Sequence, residues 1–267
     1  MKSIARFIAG LAILITFSVS VALADQTACP ELFADGQAPN FVNEKLSLKS
    51  REVCYSGYAI KHSGVTRTPL YAAEHLTRDR LMQGKGMKRQ SQFHPDEHIP
   101  ASERAELHHY ARSGYDRGHV APSADMFDMQ SQYECFSLAN MVPQVPENNR
   151  GPWEGIETTV RKIAKSKGDL YVVTGPIFNA DDIQRIGGAV MVPTKLFKAV
   201  YDPRRQEAGA YLIENAAGAQ AQKISIAELE KMTGINIFPS VNDNVKARIM
   251  NLPEPKSFKE RKHKGGR

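Results

Sequence analysis

The sequence predicts an α+β fold: a mixed, largely antiparallel central sheet flanked by helices. Three observations carry this. An apolar, β-branched run at 170–174 ends at Gly175-Pro176, and further strand-like stretches follow at 195–202 and at 208–215. Two other stretches have helical periodicity, one on Trp153, Ile156, Val160 and Ile163, the other over 225–233. No internal repeat or linker divides the chain, so a single folded domain is expected over 55–250.

The elements follow in order. Residues 1–24 read as a secretory signal peptide. Lys2 and Arg6 precede a mostly apolar run from Phe7 to Val21, and Ala22-Leu23-Ala24 fits a small-x-small cleavage site. An uncleaved membrane anchor is the alternative, for which the apolar run is short. Cleavage would make the protein periplasmic or secreted, with no membrane attachment. Residues 25–54 form an N-terminal extended segment. Residues 55–62 and 70–76 read as strands joined by a turn at Ser63-Gly64. Residues 77–114 are polar loops with a short helical piece near 102–112. Residues 116–121 read as a strand entering a loop, and 136–142 as a second short strand. Pro143, Pro146, Asn148 and Asn149 are turn or cap residues, and a helix begins near Gly151-Pro152, where a first-turn proline is tolerated. Strands at 189–192 and 195–202 are broken at Pro193-Thr194. The helix at 225–233 is capped by Ser225, has Glu228 at its third position and ends at Gly234. Residues 251–267 are a basic C-terminal tail, which would contact polyanions or simply be solvated.

The chain holds 35 Lys and Arg against 29 Asp and Glu, a net charge of +6. That excess favours polyanionic partners without identifying one. The three cysteines are Cys29, Cys54 and Cys135. In an oxidising compartment Cys29 and Cys54 would pair and leave Cys135 as a buried thiol; three free thiols are the alternative. No Cys/His spacing fits a structural zinc site.

The chemistry concentrates at Asp116-Arg117-Gly118-His119, with Pro122 just beyond. Arg117 and His119 lie two apart on a strand and can share one face, placing a fixed cation beside a general base, while Asp116 and Arg117 would point to opposite faces. Gly118 would let backbone or ligand approach closely. A lone histidine would be read as a core residue; these neighbours argue otherwise. A second cluster runs Asn140-Met141-Val142-Pro143-Gln144, then Asn149, Trp153, Glu157 and Arg161. Asn149 is either a helix cap or an oxygen ligand for Mg²⁺, an ion that takes few protein ligands. Glu157 and Arg161 are either an i,i+4 ion pair or part of a metal and phosphate site. Trp153 is read as core.

Taken together these motifs resemble the DNA/RNA non-specific endonuclease family. Asp116 to Pro122 matches its D-R-G-H-x-A-P. Asn140 to Gln144, then Asn149, Trp153 and Glu157, match N-(I/M/V)-x-P-Q and N-x-x-x-W-x-x-x-E, and Thr174-Gly175-Pro176 matches a later T-G-P. The resemblance implies a ββα-metal (His-Me finger) active site built on two strands and a helix. It implies His119 as general base and Asn149 as ligand of one Mg²⁺, with Mn²⁺ as a substitute. Glu157 would act through metal-bound water. Arg117, Arg161 and Arg89 would contact the phosphate, with Asp116, Gly118 and Asn140 in support. DNA and RNA would be the substrates, cut to 5′-phosphate and 3′-hydroxyl ends. A homodimer is left open, and no specific protein partner can be inferred. Two rival readings stand beside it: a nucleic-acid-binding module of the same fold that has lost catalysis, and a phosphodiesterase for small nucleotides.

Overall fold

The structure, a computed structural model, describes residues 27–179 and 183–256. The expected signal peptide and residues 257–267 of the basic tail lie outside the described residues. The strands in chain order are β1 (Asn40–Phe41), β2 (Ser50–Cys54), β3 (Ala59–Ser63), β4 (Thr68–Thr77), β5 (Asp116–His119), β6 (Met141–Gln144), β7 (Asp169–Ile177), β8 (Arg185–Ile186), β9 (Val190–Met191), β10 (Lys195–Asp202), β11 (Glu207–Glu214), β12 (Gln222–Ile224) and β13 (Ile235–Asn236). The helices are α1 (Arg78–Gln83), α2 (Leu107–Tyr110), α3 (Met129–Glu134), α4 (Pro146–Asn148), α5 (Glu154–Lys167), α6 (Ile226–Thr233) and α7 (Asp243–Lys246).

Seven strands form the central sheet in the order β12-β11-β10-β7-β4-β3-β2, and every neighbouring pair is antiparallel. Its centre is buried on both faces, so β7 reads as a near-continuous apolar run from Leu170 to Val173, while β10 interrupts its apolar residues with Lys198, which is buried and donates to the Thr174 hydroxyl. Each face carries a core. On one, Ile156, Val160, Ile163 and Ala164 of α5 pack against Ala72, Leu76, Leu170, Val172, Leu196 and Val200. On the other, Ile226 and Leu229 of α6 join Leu32 and Phe33 over Tyr71, Val173 and Phe197. The fold is α+β, as the sequence predicts.

Helix α5 obeys its sequence signals. Glu154 and Glu157 lie in its first turn, Lys165 and Lys167 in its last, matching the helix dipole. Gly168 closes it with φ of 91°, a conformation L residues rarely adopt. Helix α6 begins with the expected capping box of Ser225 and Glu228 and ends at Gly234.

Several expectations are corrected. The N-terminal segment is no loose leader. Cys29, Leu32, Phe33 and Ala34 are buried, short 3₁₀ turns run over Pro30–Leu32 and Ala34–Gly36, and β2 is the edge strand of the sheet. The expected strand at 55–62 starts only at Ala59, because Tyr55 closes a turn by donating its N–H to the Tyr58 carbonyl. The strand expected at 136–142 lies instead at Met141–Gln144. Before it, Leu138–Asn140 makes a 3₁₀ turn held by Ser137, whose hydroxyl accepts from the Ala139 N–H. The helix near 102–112 is only the single turn α2, and Arg112 just beyond it has φ of 56°. Cys29 and Cys54 form a disulfide with their Cα atoms 6.0 Å apart, and Cys135 is a buried free thiol.

Candidate active site

Strands β5 and β6 form a two-stranded antiparallel pair, with Gly118 opposite Val142 and His119 opposite Met141. The chain leaves β6 through α4, passes through a wide turn at Asn149–Trp153 and enters α5. Two strands and a helix thus enclose a cavity of about 660 Å³. Arg89, Arg117, His119, Asn149, Glu157 and Arg161 all line it, although up to 72 residues of chain separate them.

Phenylalanines organise its basic side. The His119 ring packs edge-on against Phe136 at 4.8 Å between centroids and lies 5.7 Å from Phe93. The Arg117 guanidinium sits over Phe93 at 4.2 Å, and that of Arg89 over Phe136 at 5.2 Å. Such cation–π contacts orient an arginine while leaving its N–H groups free to donate. His119 is 9% exposed and its Nε2 is buried without a partner. Burial, with Arg89 nearby, pushes its pKa down to about 3. An ordinary imidazole titrates near ~6.5; this one is neutral throughout the usual pH range.

Gly118 and Asn140 do not face the cavity. A Cβ on Gly118 would lie 2.1 Å from Oε1 of Gln144, so the close approach this glycine allows is to the Gln144 side chain and not to a ligand. Asn140 is wholly buried and braces the turn after β5. Its Oδ1 accepts from the Ala121 N–H at 2.8 Å, and its Nδ2 donates to the carbonyls of Ala121 and Cys135. Asp116 and Arg117 both reach the cavity, contrary to the opposite-face expectation, because Asp116 opens the strand and is drawn toward Asn149 and Arg150.

On the acidic side, Asn149 donates from Nδ2 to Asp116 Oδ2 at 2.8 Å, which leaves its carbonyl oxygen as the end of the amide open to a ligand. Burial raises the Glu157 carboxyl to about 7; Arg161 and Lys198 pull it down, Asp125 and Glu154 push it up. Arg161 forms its ion pair with Asp125, at 3.0 Å, and donates to the Thr158 hydroxyl at 2.9 Å. The i,i+4 pairing with Glu157 is thus replaced by one across the fold. Burial works against the charge of Arg161, but Asp125 and Glu157 outweigh it and raise its pKa further. This donor set of amide and carboxylate oxygens, ringed by arginines, suits a small hard dication that keeps much of its water. Sequence reasoning missed Asp125, Phe93 and Arg150. The first two carry no spacing signal, whereas Arg150 stood beside Asn149 in the matched motif.

A family model described as DNA/RNA non-specific endonuclease matches residues 37–244. The mitochondrial nuclease EXOG of Danio rerio is 35% identical over 208 residues, 70% of this chain and 60% of the relative. The EXOG of Homo sapiens is 31% identical over 233 residues, 78% and 63% of the two chains. The mitochondrial nuclease of Saccharomyces cerevisiae is 32% identical over 229 residues, 76% and 68%. The chain thus spans about three-fifths of the EXOG relatives' length. Among solved structures, EndoG in the EndoG/EndoGI complex, described as revealing the mechanism of EndoG inhibition, superposes with a TM-score of 0.67 at 27% identity, covering 73% of this chain and 88% of that one. One expectation is overturned by these relatives. They are mitochondrial nucleases, which points to mitochondria rather than to the periplasm or the exterior. A short basic and apolar start is an address read by receptors, and its composition does not name the compartment.

Proposed function

This chain belongs to the DNA/RNA non-specific endonuclease family, and on that premise we propose that it hydrolyses internal phosphodiester bonds of DNA and RNA with little sequence preference, using one Mg²⁺. The observation that carries this reading is the shared cavity: a neutral buried histidine, an amide oxygen, a carboxylate and three arginines meet on its walls. His119 takes the proton of the attacking water. Burial, and secondly the charge of Arg89, keep its basicity low. A phosphodiester bound to Arg89 and Arg117 offsets that positive charge, so the base strengthens when substrate is present. Arg89 and Arg117 hold the non-bridging oxygens from their phenylalanine rests. Arg161, committed to Asp125 and Thr158, adds a fixed positive charge.

Asn149 Oδ1 would hold Mg²⁺, and Glu157 would orient a water beside it. When bound, the ion supplies positive charge to the phosphate in the transition state and acidity for the leaving oxygen. Phosphate contacts carry no base identity, which accounts for weak sequence preference. The test is to incubate plasmid DNA, and separately RNA, with the protein in Mg²⁺ or in EDTA. Cutting that EDTA abolishes is expected. Binding without cutting, weakening steeply with salt, would contradict it and favour a binding module. Hydrolysis of small nucleotides alone would contradict it too.

A further inference from the structure

Arg150 stands at the cavity rim, beside the residue that would hold the ion. We propose that Arg150 is a positioning residue for that ion: through Asp116 it fixes the Asn149 amide so that the carbonyl oxygen, and not the NH₂ group, meets the cation. The inference rests on the reading of Asn149 as the metal-holding residue.

Three contacts carry it. Asp116 Oδ2 accepts from Asn149 Nδ2 at 2.8 Å and from Arg150 Nε at 2.8 Å, while Asp116 Oδ1 accepts from Arg150 Nη2 at 2.5 Å. An amide is nearly symmetric in shape, and a flipped Asn149 would turn two N–H groups toward a cation. An ionised carboxylate only accepts, so Asp116 selects the NH₂ end and frees the oxygen. The carboxylate must itself be held in plane, and the bidentate guanidinium does this. Asp116 is mostly buried, with its side chain 16% exposed, whereas Arg150 is 71% exposed. An ion pair that open adds little to stability. Its fork is better explained by what it does to Asp116 and, one bond further, to Asn149. Partners of metal ligands commonly tune affinity in this way.

The experiment is a Mn²⁺ titration of the full chain without nucleic acid, followed by the electron paramagnetic resonance signal of the free ion. It compares wild type, Arg150→Met, Arg150→Lys, Asp116→Asn and the Asp116→Asn/Arg150→Met double variant. Removing a cation beside a cation site would by itself tighten Mn²⁺ binding, and so would removing an arginine that served only to contact phosphate. The proposal expects the opposite: Arg150→Met binds Mn²⁺ about tenfold more weakly. Arg150→Lys, which keeps the charge and loses the fork, falls between. In the Asp116→Asn background the Arg150→Met change adds nothing, because both act through one carboxylate. Unchanged or tighter binding by Arg150→Met overturns the role of Arg150 while leaving the metal reading intact. Absence of Mn²⁺ binding by the wild type overturns both. Near-ultraviolet circular dichroism checks the fold of each variant; it should be kept in the Arg150 variants because that side chain is exposed, and in Asp116→Asn because the amide keeps the shape of the carboxylate.

Discussion

Glu157→Gln should make the protein more stable at alkaline pH while removing its activity. Burial holds the Glu157 carboxyl at about 7 in the fold, against an ordinary 4.5. Below 4.5 both folded and unfolded chains carry the proton, and Glu157 costs the fold nothing. Between 4.5 and 7 the unfolded chain has lost that proton while the folded chain keeps it, so stability falls as pH rises; above 7 the loss is complete. A shift of this size corresponds to about 3 kcal/mol. The side chain borders an open cavity, and solvent screening reduces the expected effect to about 1–3 kcal/mol. Glutamine keeps the shape and removes the charge, so this loss disappears in the variant. The assay is urea unfolding at pH 4.5 and pH 8 in EDTA, which prevents a bound cation from offsetting the charge. The wild type should lose stability relative to Glu157→Gln between the two values. Equal pH dependence in the two proteins would refute the claim that the fold strains against this carboxylate.

Opening the Cys29–Cys54 disulfide by replacing both residues with alanine frees a loop of 25 residues, and chain-entropy reasoning sets the loss near ~3.5 kcal/mol; an unchanged urea midpoint would contradict this. Gly118→Ala would press a Cβ against Gln144 and should cost about 1–3 kcal/mol by overpacking. Adding Gln144→Ala should recover part of that loss in thermal unfolding, and no recovery would place the strain elsewhere.

Legibility in the sequence followed periodicity and local chemistry. The stripe on Trp153, Ile156, Val160 and Ile163 is buried in α5 and its entry turn because a surface helix has one apolar face to hide. β10 runs over the expected residues, and β11 begins one residue early and ends one early, since the apolar stretches Leu196-Phe197, Ala199-Val200-Tyr201 and Ala208 to Ile213 mark the buried parts of both. β2 went unread because Ser50-Arg51-Glu52 looks like a loop, yet it pairs along one edge only and has little need of apolar residues. Tyr55 and Tyr58 look like strand residues, but they stack on each other at 4.6 Å across a turn. His119, Arg117 and Asn149 were legible because each sits in a motif, whereas Arg89 comes from a loop with little local pattern. What surrounds them was not legible. Asp125 reaches Arg161 across 36 residues, and the two phenylalanines that steady His119, Arg117 and Arg89 meet only in the folded chain.

The most direct test of the central claim is the single-turnover rate of phosphodiester cleavage in a short DNA duplex, measured at saturating Mg²⁺ for wild type and His119→Ala, with and without added imidazole. A general base contributes roughly 10²- to 10⁴-fold. The account predicts a loss in that range, partly restored by imidazole entering the space that the ring leaves between Phe93 and Phe136. Equal rates for the two proteins would contradict it.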